Sequence, residues 1–535
     1  MVINSVSIVE KENIQVSVSN NNRVRAQSVP VRSVKSSPTR SHRQRKRVVH
    51  RQVYVPEKPE FINYASAFID PYRRLKPILI DHEYSRKRKK SRQRRQKKPI
   101  PKDETPIPSE ITEQSEPIDL WPLNPNNFDM DFIRQRQIAI DNSSYREVIN
   151  QWQPSSIYQL VKLIKETFSK ANRLDHVWMM FYWISQNITY DLDAKHVNAE
   201  EILRSGKTNC EGYASLVQIL CEQININCSK IIGYAKDTHF HIHQTNFLQP
   251  NHTWNAVELE HNQWYLLDAA WGSGYIDSKF EYKQVLQPYY FLTRPETMIY
   301  NHLPKESRWQ LLSKTISLKD YIYLPNLHAY YFLFDLTIVS PRCSHLVNFD
   351  SFESLAEILI QAPNDIQLSC SSKDDDHRST CLTQFDSNRQ LWQCLFAPYK
   401  SGFYTLVIYA NRLPNLNYLF NTIELNVQIS NRDFQQRKIL PITYGKFLEA
   451  KCQIYSPLDR YLKSGTKLSL HCRIPQAIYG RITLDGNWFE EIEIQDEIFK
   501  QDIVVPQREI ILYAQFSQKK SSNSYFALVR YLVDK

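Results

Sequence analysis

The strongest chemical signal in the chain begins at Cys210. It opens TNCEGYASLVQILCEQI, where Tyr213, Leu216, Val217, Leu220 and Ile224 recur on one helical face and Thr208 and Asn209 are helix-capping types. That spacing predicts a helix starting at Cys210. A helix N-terminus favours thiolate over thiol, and its free N–H groups can face a developing oxyanion, which suits a nucleophile. The segment NHTWNAVELEHNQWYLLDAAWGSGY adds His252 and Asp268 on two alternating runs joined by a polar turn, the pattern of a β-hairpin. A five-residue loop from Leu259 to Gln263 sets Asp268 opposite Trp254 and diagonal to His252 on one face; a four-residue loop parts them. In the first register His252 can take the thiol proton and Asp268 can fix the imidazole tautomer.

Around these residues stand Trp254, on the His252 face of its strand, and Trp271, three residues after Asp268. Either could wall an acyl groove or simply pack in the core. Cys221 and Cys228 read as small buried residues. His239, His241 and His243 alternate along the chain and lack a fourth ligand at a recognisable spacing, so solvent-facing histidines are expected there. Asp374, Asp375 and Asp376 lack the alternating oxygens and turn glycine of a calcium loop. No metal and no cofactor is expected.

The elements that must position this set are legible from periodicity. From Ser155 to Asn187 apolar residues recur at helical spacing and predict two amphipathic helices, the second ending at Asn187. Helix gives way to strand between Leu203 and Tyr275. Glycine is scarce, 10 in 535 residues, yet Gly206, Gly212, Gly233, Gly272 and Gly274 fall in this one region, which marks it as a place of sharp turns or close approach. Beyond Leu327 short β-rich runs follow, among them Tyr330 to Val339, Phe403 to Tyr409, Ile423 to Ile429 and Ile510 to Phe516, at a spacing that suggests two β-sandwiches.

Charge is concentrated at the start. Residues 1–100 hold 25 Lys and Arg against 7 Asp and Glu, or +18, so the rest of a chain of net +11 sums to −7. Arg86 to Lys98 carries 10 basic residues in 13, without interleaved aromatics to stack bases. A disordered basic tail and acidic linker over 1–118 is expected, open to nuclear import, nucleic acid or another polyanion, or an acidic filament. No apolar run reaches the ~20 residues of a membrane helix, and the first residues lack the order of a signal peptide. With sparse, oddly numbered cysteines, the expectation is a soluble, reduced, cytoplasmic protein without membrane insertion.

Beyond these local patterns, the chain resembles the transglutaminase-like superfamily, and more narrowly the kyphoscoliosis peptidase family. The resemblance runs through NITYD at Asn187, CEGYA at Cys210, IIGYAKD at Ile231, HTWNAV at His252 and LLDAAWGSGY around Asp268, and continues into YFLTRPE at Tyr290, His302 to Pro304 and RWQLL at Arg308. It implies a papain-like α+β core, which with the folded boundary near residue 119 and the β-rich spacing beyond Leu327 gives an α+β fold: a core over 119–326 followed by two immunoglobulin-like β-sandwiches over 327–432 and 433–535. It also implies Cys210 as nucleophile, His252 as base, Asp268 as orienting carboxylate, and Trp183 or Tyr190 as an aromatic completing the oxyanion hole. The segment between Asp237 and His252 departs from relatives in having no glycine.

The reading that follows is a cytoskeleton-associated cysteine peptidase or transglutaminase-like acyltransferase, a hydrolase when water resolves its thioester, acting on amide groups of protein substrates. The rival reading is a non-catalytic scaffold that uses the same fold and the sandwiches to bind proteins.

Overall fold

A computed structural model describes residues 120–534 apart from 195–196, 238–239, 241–246, 277–280, 342–345, 350–354, 374–379, 399–401, 414–418, 430–438 and 517–523. The basic tail, His239, His241, His243 and Asp374 to Asp376 lie outside the described residues.

Capping sets the helices of the first half. Ser156 caps Ile157–Glu166, and Asn172 with Asp175 forms a reciprocal capping box at the start of Arg173–Asn187. These are the two helices expected from periodicity. Arg173–Asn187 is buried along most of its length, including Trp178, Phe181, Trp183 and Ile184. The helix Cys210–Gln223 packs against it and against the central sheet.

That sheet is antiparallel, with strand order Gln263–Leu267, His252–Glu260, Asn227–Ala235, His302–Pro304. The hairpin reaches the expected parity by a different route. His261 and Asn262 form a two-residue turn and the register shifts between Glu258 and Glu260, so the pairing Asn255↔Leu267 extrapolates to Asp268 opposite Trp254. Asn262, at φ 60°, makes the tight turn.

Glycine acts here through close approach. A Cβ on Gly233 would sit 2.3 Å from the Leu303 carbonyl oxygen and 2.4 Å from the Trp254 ring, so only glycine lets the strands of His252 and His302 close on the strand between them.

The second half is β-structure. Thr337–Ser340, Ala356–Gln361, Leu391–Phe396 and Cys381–Asp386 form one sheet. Ile366–Ser372, Gly402–Arg412 and Phe420–Ile429 carry another. Two more sheets lie between Ile442 and Asp534. One hydrophobic cluster runs through both sheet pairs, from Leu327 through Trp392 and Ile408 to Leu528 and Tyr531. The run Tyr330 to Val339 is not a single strand. Ala329–Leu333 is helical and the strand begins at Thr337, because Tyr330 stacks on Phe420 at 3.7 Å and Phe334 packs on the same ring.

The two halves meet at a polar seam. Asn326–Leu327 adds a short strand to Phe420–Ile429. The Asn301 amide donates to Asn326 Oδ1 at 3.2 Å, and Asn326 in turn donates to Glu424 Oε2 at 3.2 Å. Burial would raise the Glu424 carboxyl, but Lys373, 2.8 Å away, and His328 hold it well below the carboxylate range. Among the described residues no helix is long and apolar enough to cross a membrane.

Candidate functional site

Cys210 stands at the first position of its helix, half-buried, with Asn209 Oδ1 accepting from the Gly212 amide at 3.1 Å. His252 opens its strand, and Asp268 is the N-cap of the short helix Ala269–Ser273. One Asp268 oxygen, Oδ1, accepts from the amides of Ala270 and Trp271, both at 2.9 Å. The other, Oδ2, meets His252 Nε2 at 2.6 Å and His302 Nε2 at 3.0 Å. The carboxylate therefore takes four hydrogen bonds in a space from which water is excluded: exposures are 0% for Asp268, 5% for His252 and 2% for His302.

Sequence reasoning gave His302 no role, although its strand was quoted in the resemblance. The signal is weak, one histidine in a three-residue strand 34 positions after Asp268. Trp254 and Trp271 pack on this cluster. Trp254 lies 5.9 Å from His252 and 5.1 Å from His302, and Trp271 lies 5.5 Å and 4.4 Å from the same rings. Both indoles are buried, at 1% and 2% exposure, so they roof the cluster instead of lining an open groove.

Electrostatics follow from the geometry. Burial would lower the His252 pKa, but Asp268, and after it Cys210, reverse that and raise it to about 10. Burial would raise Asp268, and His252 with His302 hold it well below the carboxylate range. His302 is lowered by burial despite Asp268, and so stays neutral with Nε2–H as donor; its Nδ1 has no partner. Cys210 retains a bond to His252, for which Nδ1 is the nitrogen left over. Burial raises the thiol, and that bond together with the imidazolium charge brings it below its ordinary value. The Tyr190 hydroxyl also bonds Cys210. Trp183 sits in the helical core with its indole N–H unpartnered. Cys221 is fully buried, while Cys228 is only partly so.

These observations correct the expectation of thiol catalysis. Among the described residues, the groups whose ligand atoms close to within 4.8 Å of one another are His252, Asp268 and His302, a His–His–Asp set that does not include a cysteine. Oδ2 of Asp268 is shared between two imidazoles, and Cys210, half-buried, reaches this set only through its bond to His252. The readings as cysteine peptidase, hydrolase and acyltransferase with a catalytic triad and thiol nucleophile are set aside on that finding. The three donors are of types that bind metal ions, and their short N···O separations are those of direct hydrogen bonds.

Residues 162–269 match the transglutaminase-like superfamily, and residues 318–441 match the KY-like, immunoglobulin-like domain. His302 lies beyond the first match. Over 177 residues the chain is 36% identical to kyphoscoliosis peptidase of Mus musculus, an alignment covering 31% of this chain and 26% of that protein. The Homo sapiens protein of the same name is 35% identical over 177 residues, with the same shares of 31% and 26%. Hillarin of Drosophila melanogaster is 26% identical over 211 residues, 35% of this chain and 25% of that one. The chain thus spans about a quarter of the length of the curated relatives it matches. With its α+β core and the β-sheets that follow, it carries a transglutaminase-like domain and a KY-like, immunoglobulin-like domain, and is homologous over part of its length to kyphoscoliosis peptidase.

Proposed function

We propose that the chain is a scaffold, using a non-catalytic transglutaminase-like domain and immunoglobulin-like β-sandwiches to bind other proteins. The observation that carries this is the buried His252–Asp268–His302 cluster. It ties the His252 strand, the Ala269–Ser273 helix and the His302 strand together through one carboxylate. Such a group braces a fold. We place the domain divisions near residues 119, 327 and 433, the last two bounding two sandwiches. Cytoskeletal proteins in the cytoplasm are the proposed partners, on the family resemblance, and the +18 of residues 1–100 adds attraction to polyanions, including acidic filaments and nucleic acid.

The test pairs binding with chemistry. Wild type and Cys210→Ala are compared for co-sedimentation with purified actin filaments and microtubules, and for ammonia release and amine incorporation on a glutamine-bearing protein. The scaffold reading expects equal co-sedimentation and no turnover in either. A thioester adduct on Cys210 detected by intact mass, with turnover lost in Cys210→Ala, overturns it.

A further inference from the structure

Eight cysteines fall among the described residues, and three of them converge inside the sheets of the KY-like domain. Cys370 lies on Ile366–Ser372, paired with Ile408. Cys381 and Cys394 lie in the facing sheet: Cys381 opens Cys381–Asp386, and Cys394 pairs with Thr383 of that strand. Residues two apart on a strand share a face, as do directly paired residues, so Cys381, Thr383 and Cys394 present their side chains to one side. Thr383 bridges the sheets. Its hydroxyl accepts from the Cys370 amide at 2.8 Å and donates to Cys370 Sγ at 3.1 Å. Cys370 also has thiol contacts with both Cys381 and Cys394. Its exposure is 6%, that of Cys381 8% and that of Cys394 2%.

We infer that this trio is an oxidation site, at which Cys370 forms a disulfide across the two sheets with Cys381 or Cys394 on exposure to a hydroperoxide. Cys381 is the first thiol to react, because it is the most exposed of the three and sits on an edge strand, where local opening costs least. Its thiolate attacks the O–O bond and becomes a sulfenic acid, releasing water or an alcohol. The Cys370 thiol then attacks that sulfur; the S–S bond forms, the S–O bond breaks and water leaves with the proton. Two electrons pass from the two sulfurs to the peroxide. Cys394 can attack the Cys370 sulfur of the new bond and release Cys381, moving the crosslink to the central strand. The third thiol gives the site two oxidised forms that differ in which strand is stapled.

The experiment treats the folded full chain with hydrogen peroxide, blocks remaining thiols and maps peptides without reductant. The expected product joins Cys370 to Cys381 or Cys394, is reversed by dithiothreitol, and raises the thermal midpoint of this domain by about 5 °C. Cys394→Ala should confine the bond to Cys381, and Cys381→Ala, which removes the thiol that reacts first, should slow oxidation and leave only a bond to Cys394. Cys370→Ser should abolish both. Should that variant not fold, the double variant Cys381→Ala and Cys394→Ala makes the same test, since Cys370 must then remain a thiol. The inference is overturned if all three cysteines stay reduced in the folded chain, if the bond joins any other pair, or if it forms only after unfolding in urea.

Discussion

Replacing Asp268 by asparagine isolates what its charge contributes. The asparagine side chain would keep an oxygen as acceptor for the amides of Ala270 and Trp271, so the helix cap survives. It would put an NH2 where Oδ2 now meets both imidazoles, so His252 could no longer be held as an imidazolium. Asp268 is the largest cause that raises His252 from 6.5 to about 10, with Cys210 adding to it, so the whole shift, roughly 4–5 kcal/mol, is an upper bound on what the Asp268 charge contributes to folding. Loss of one member of a buried ion pair independently suggests about 3–5 kcal/mol, the same interaction seen from its other end and not an addition to it. The sign is fixed by which chain holds the proton. Below pH 6.5 His252 is protonated folded and unfolded, and the pair contributes in full; as pH rises to about 10 the unfolded chain releases the proton first and the contribution fades. At the acid end it is present above about 3.8 and is lost as pH falls through the depressed folded value of Asp268. Asp268→Asn should therefore lower the melting temperature of the transglutaminase-like domain by about 10 °C at pH 6, and by far less at pH 10. His328, neutral in the fold, titrates alike in both proteins and cancels in the difference. Circular-dichroism melts of wild type and variant from pH 4 to about pH 10 provide the comparison. A pH-independent difference, or one below about 1 kcal/mol at pH 6, would refute the reasoning.

Gly233→Ala should be more damaging than its size suggests, because the new methyl meets backbone at 2.3 Å; a loss of about 3 kcal/mol or failure to fold is expected in urea titration, against a smaller change for Gly465→Ala, whose Cβ meets nothing within 4 Å and whose cost comes only from its φ of 76°. Deleting residues 1–118 should leave the melting temperature of the remainder within about 2 °C and weaken binding to heparin chiefly at low salt, with a large thermal loss counting against it.

The helix start at Cys210 and the parity of the His252 hairpin were legible because both rest on local rules, a cap residue and a period of two. The bulge at Leu259 was not, since two turn lengths give one parity. Tyr330, Tyr331 and Phe332 are strand formers by type, but docking of Tyr330 on Phe420 and of Phe332 on Tyr289 overrides that preference and leaves a helix. His302 was missed for a different reason. Its partner Asp268 is reached only through the strand order of the sheet, which places His302–Pro304 next to Asn227–Ala235. The five clustered glycines pointed to close approach, and Gly233 shows the steric cause.

The short strand Asn326–Leu327 gives the junction a mechanical character. It pairs with Ile423 and Glu424 through two register positions only, and its flanks are joined by Asn326 to Glu424 and by the His328 amide to the Thr422 carbonyl at 2.9 Å. A pull that separates the sandwich from the core would load these few bonds while the long ladder between Gly402–Arg412 and Phe420–Ile429 stays intact. The junction thus joins the halves by two register positions with the aromatic packing of Phe332 on Tyr289, against nine register positions in that ladder, so a load along the chain falls on far fewer backbone bonds there than within the sandwich.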